Sequence, residues 1–232
     1  MTVWPWIGLG AAIVIGILLF ATDWLRSDTT VSRWKDPTWF AWVAAAAYML
    51  HNVEEYGIDF TGTSLAFPSM MTSDMGVQPP ESFFLVVNIG LVWIAGPLAA
   101  LATRRMPVLV LAMPTVELVN SFLHIPGAIA LRSIGAGFVT ALLLFVPIAI
   151  WAFVGFCGKD GFKKSTYFAF LGIGVIYHLG FVATIVPLAQ GVGPNWLPAV
   201  TMALFTAIML GLWYWMAVRV IRNARSRETA AA

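Results

Sequence analysis

Three histidines and three glutamates carry most of the chemistry this sequence offers. His51, His124 and His178 are the only histidines among 232 residues. Each lies inside a long apolar stretch, as do Glu54, Glu55 and Glu117. Ionisable groups in such stretches are costly and usually face a bundle interior or a cavity. At 100° per residue, His51, Glu54 and Glu55 fall within about 100° of one helix face. Glu117, Asn120 and His124 fall within about 60° of another by the same count. His178 stands on a third stretch, directly after Tyr177.

Imidazoles combined with carboxylates suit divalent transition metals, with zinc favoured here over iron. The candidate ligands are His51, Glu54, Glu55, Glu117, His124 and His178. Three histidines from three helices would leave a zinc position open to water, whose pKa the metal lowers to about 7. Glu54 or Glu117 would then act as general base, and Asn120 would orient a substrate or a ligand. Metal-dependent hydrolysis of a lipidic or apolar substrate ranks first among the reactions such a set supports. Three alternatives stand beside it. A di-iron oxidoreductase is one, since bundles build dinuclear carboxylate centres, though its electrons would have to reach an outer-half site. A metal-free His/Glu isomerase or cyclase of a sterol- or carotenoid-like lipid is another. Proton or cation transport is the third, and ranks lowest because the chain is short and shows no internal repeat.

These side chains must be positioned by helices in lipid. The chain is 60% apolar and 10% charged, whereas a soluble domain carries roughly 25% charged residues. That balance excludes disorder, and the single Cys157 excludes an internal disulfide scaffold. A net charge of +2 gives no reason to expect nucleic acid as a partner. The fold expected is an all-α polytopic membrane bundle, one integral membrane domain over residues 1–232. About 20 apolar residues span a bilayer, and seven such stretches occur, at 3–22, 37–56, 82–103, 106–130, 135–156, 166–189 and 197–219. Twelve of the 13 basic residues then share one face. They are Arg26, Arg33, Lys35, Arg104, Arg105, Lys159, Lys163, Lys164, Arg219, Arg222, Arg225 and Arg227, with Arg132 alone opposite. The positive-inside rule makes that face cytoplasmic, with the N-terminus outside, the C-terminus and basic tail (220–232) inside, and the cell membrane as the location. Counting 1.5 Å per residue from the cytoplasmic side puts all six ionisable groups at roughly 18–27 Å, in the outer half. The longest connection, 57–80, lies outside and has no Lys or Arg; its length marks it as a possible lid.

The string His51-Asn52-Val53-Glu54-Glu55 resembles the H-x-x-E-E signature of a family of small bacterial and archaeal membrane proteins. Asn120 to His124 (NSFLH) is similar to that family's N-x-x-x-H element, and His178 to its histidine in a late apolar helix. The resemblance implies a membrane protein suspected of binding metal, with no activity assigned. The architecture is also similar to that of membrane zinc amidases acting on ceramides. It lacks their H-x-x-x-H pair, and Asn120 stands where their serine would be.

Overall fold

Long apolar runs punctuated by Pro, Gly and charged residues give helices throughout. The computed structural model describes residues 3–73, 76–132, 134–158 and 161–231. Lys159 of the basic set lies outside the described residues, as do positions 74 and 75 of the 57–80 connection. Among the described residues, six helices are long and apolar enough to cross a membrane: α1 (Trp4–Ala21), α4 (Glu81–Ala102), α5 (Pro107–Ala130), α6 (Phe138–Phe156), α7 (Lys164–Leu188) and α8 (Leu197–Ser226). Between the first two lie α2 (Pro37–Tyr56) and the short α3 (Ala66–Ser73). Among the described residues no β-strand forms.

The sequence predicts seven spans, and α2 is the one outside these six. Its 20 residues suffice in length, but His51, Asn52, Glu54 and Glu55 crowd its last turns and lower its apolarity. Position compensates for composition. Trp39, Phe40, Ala44, Ala45, His51, Asn52, Glu54 and Glu55 are all buried, and α2 packs against α1, α3, α4, α5 and α6. A helix surrounded in this way meets protein where its neighbours would meet lipid. Small side chains at Ala44 to Ala47 allow that close surrounding.

The start of α2 is set by Asp36, which accepts hydrogen bonds from Thr38 N at 2.8 Å and Trp39 N at 3.0 Å. Pro37 occupies the first helical position, where its missing N–H costs nothing. On the other side of the bundle, α7 packs between α5 and α8, and α8 returns against α4. Two helices contain π-helical turns, at Ile89–Ala95 in α4 and Ala141–Phe145 in α6. Such turns often sit at functional sites; these two begin directly after Asn88 and Thr140.

Candidate metal centre

The H-x-x-E-E turn of α2 points its polar atoms at α5 and at the start of α6. His51, Glu55 and His124 each offer a ligand atom, and the three atoms lie within 4.8 Å of one another. Glu55 Oε1 stands 3.5 Å from His51 Nε2 and 3.2 Å from His124 Nε2. The His51 and His124 rings meet edge to face, with centroids 4.9 Å apart.

Hydrogen bonds behind the rings decide which nitrogens are bare. His124 Nδ1 lies 2.7 Å from the Ala136 carbonyl, which only accepts, so Nδ1 carries the proton and Nε2 a lone pair. His51 Nδ1 lies 2.7 Å from Thr140 Oγ1. The Thr140 hydroxyl donates to the Glu54 carboxylate, so its oxygen accepts from His51 Nδ1–H and leaves Nε2 unprotonated. That Nε2 is buried and, among the described residues, has no hydrogen-bond partner. With both rings neutral, three acceptor atoms therefore converge with no hydrogen between them. Such an arrangement is repulsive until a proton or a metal cation fills it. Two ligands bound to one tetrahedral zinc at 2.0–2.1 Å stand about 3.3 Å apart, and the observed 3.2 and 3.5 Å bracket that value. Holding Nδ1 of a ligating imidazole with an acceptor is also the usual way of fixing its tautomer.

Glu54 has a different task from its neighbour. Its oxygens accept from Val139 N at 2.9 Å, from Thr140 N at 2.8 Å and from the Thr140 hydroxyl. It thus satisfies the free N–H groups at the start of α6, where a negative charge is favoured. Glu54 lies outside the ligand group and positions Thr140, which in turn orients His51. Gly137, at φ +79°, brings backbone against both rings: a Cβ there would sit 2.6 Å from His51 Cε1 and 2.7 Å from His124 Cε1. Gly135 and Gly137 break the apolar run in the sequence, whereas no local pattern marks Thr140. The paired glycines before an apolar helix were the available signal.

The remaining predicted residues are not in this group. His178 donates Nδ1–H to the Gly174 carbonyl at 2.9 Å, which frees its Nε2. It lines a cavity of about 730 Å³ that also reaches Glu55, His124, Asn120 and Asn88. The set assembled is thus two histidines and one glutamate rather than three histidines. Glu117 is fully buried, neither oxygen has a hydrogen-bond partner among the described residues, and it does not line the cavity. Asn120 Nδ2 approaches the Tyr48 hydroxyl at 3.4 Å, and both residues line the cavity. Asn52 Nδ2 donates to Asn88 Oδ1 at 2.7 Å, tying α2 to α4 beside the site.

Residues between 59 and 73 of the long connection roof the cavity. They place α3 against α2, and Phe67 lies 6.1 Å from the His124 ring and 6.4 Å from Phe181. Met70 and Met71 add flexible apolar lining.

Residues 42–152 match the model of a family described as a protein of unknown function with HXXEE motif. The matched stretch holds His51, Glu54, Glu55, Glu117, Asn120, His124, Gly137 and Thr140, and ends before α7 and His178. No curated protein and no solved structure matches the chain.

Proposed function

From the HXXEE-family match over residues 42–152 as its premise, we propose that this is an integral membrane hydrolase. It holds a divalent metal, zinc before iron, between His51, Glu55 and His124. The observation that carries the reading is the convergence of three lone-pair atoms within 4.8 Å, with Glu55 Oε1 at 3.2 and 3.5 Å from the two ring nitrogens and both imidazole tautomers fixed from behind. A zinc ion held there would supply acidified water, with a pKa near 7, at the wall of the cavity. In this reading α2 is a seventh span shielded by its neighbours. Twelve of the 13 basic residues face the cytoplasm, and the roofed cavity opens in the outer half of the cell membrane.

The chain's own groups divide the remaining work. Glu55 and the two rings fix the position of attack. His178 Nε2, with Nδ1–H committed to Gly174, accepts the proton released from the attacking water and returns it to the leaving group. Asn120 Nδ2 and the Tyr48 hydroxyl, at the cavity wall, donate to the oxygen of the scissile ester or amide carbonyl. Phe67 and the rest of the roof exclude bulk water, which strengthens each of these interactions. The test is turnover of a fatty amide or ester by purified protein. Chelation should abolish it, and added zinc should restore it. Turnover that survives complete metal removal would overturn the assignment.

A further inference from the structure

The cavity has a side door, and its shape indicates what passes through. Helices α5 and α7 touch backbone to backbone in one half of the bundle. A Cβ on Gly174 would lie 3.3 Å from the Thr115 carbonyl oxygen and 3.4 Å from Val116 Cα. One to three turns further on, the same pair of helices has the cavity between it, lined by Leu123 and Gly127 on α5 and by His178 and Val182 on α7. Space replaces contact there: a Cβ on Gly127 would meet nothing within 4 Å. Leu123 is 48% and Val182 47% exposed, so two residues that line the cavity also lie on the apolar outer surface of the bundle. The interior is therefore continuous with the surface that lipid covers.

Charge selects among lipids. Among the described residues the lining carboxylates and imidazoles are Glu55, Asp59, His124 and His178, with no Lys or Arg. In the protein freed of metal, an anionic head would meet carboxylates without a compensating cation. Size selects further. A volume of about 730 Å³ lies within the roughly 300–1,000 Å³ of small-molecule sites, enough for one chain and a small head rather than a two-chain phospholipid.

We infer that a neutral single-chain amphiphile enters sideways from the hydrocarbon between α5 and α7, its chain against Leu123 and Val182 and its polar head toward Glu55 and His124. The inference rests on the proposed hydrolase but is read independently of metal. The probe is a monoacylglycerol with a photoreactive diazirine on its chain, added to phosphatidylcholine vesicles holding the full-length protein freed of metal by chelation. The comparator is a lysophosphatidic acid bearing the same chain. The neutral probe should label the peptides containing Leu123 to Ala128 and Val182 saturably, and the anionic one at least tenfold less. Gly127→Phe, whose Cβ enters open space, should reduce labelling at least tenfold with its helical circular dichroism intact. If that variant misfolds, Val182→Phe is judged by the same criterion. Equal labelling by both probes, or labelling unchanged by the plug, overturns the inference. His51→Ala protein stripped of metal separates the two claims. Labelling that persists there with no metal in the wild type refutes only the metal reading. Absent labelling with metal present in the wild type refutes only the side door.

Discussion

Asp36 and Glu55 are both buried carboxylates on or beside α2, one at each end, and their surroundings are opposite. Asp36 is saturated by donors. Its Oδ1 accepts from Ser27 Oγ, Thr38 N and Trp39 N, and its Oδ2 from Ser27 N and Asp28 N, all at 2.7–3.0 Å. The charge there is fully used in holding a turn and starting a helix. Glu55 faces bare imidazole nitrogens instead, at 3.2 and 3.5 Å. Burial is the same in kind, so it is the partner atoms that separate a structural carboxylate from a cation ligand. Glu54 makes the point within one residue, because its N–H and O–H donors put it with Asp36 rather than with Glu55.

Substitution should separate the two ends. The largest effect is expected from Glu55→Gln, which removes a charged ligand and should weaken metal binding by roughly a hundredfold or more in a chelator competition titration. Asp36→Asn should keep metal affinity within about threefold of wild type while lowering the unfolding temperature, since a hydrogen bond to a charged group is worth about 1.5–3 kcal/mol. Equal loss of metal in both variants would break the comparison. Gly137→Ala comes next. Strain in the left-handed region costs about 1–2 kcal/mol, and the new methyl displaces both rings, so affinity should fall about 10–100-fold, the range seen when supporting groups are removed. Thr140→Val removes the acceptor behind His51 and should cost nearer to tenfold, visible in the same titration. His178→Ala should change affinity least, by under about threefold, yet abolish turnover. A metal affinity that collapsed in His178→Ala would place His178 among the ligands.

Much of this arrangement was legible in the sequence because charge is so scarce. The spacing of His51 and Glu55, one helical turn apart, fixes them on one face, and the Asn120–His124 element supplies the partner helix. Those relations are local and periodic. What escaped is not periodic. Thr140 and the Ala136 carbonyl reach the rings only because Gly137 turns the chain back at φ +79°, and a hydroxyl before an apolar run reads as ordinary packing. The division of labour between Glu54 and Glu55 was equally hidden, since both sit on one face and only the N-terminus of α6 distinguishes them. The apolar stretches marked all seven long helices, and six of them are apolar enough to cross a membrane among the described residues. α2 falls short because His51, Asn52, Glu54 and Glu55 crowd its last turns, where neighbouring helices bury them.

The most direct measurement is X-ray absorption at the metal edge of purified protein loaded with zinc and freed of excess. The account predicts about one zinc per chain, with two imidazole nitrogens at about 2.0–2.1 Å and carboxylate oxygen at about 2.0–2.2 Å in its first shell. A spectrum without imidazole scattering, or protein that retains less than about a tenth of an equivalent, would contradict it.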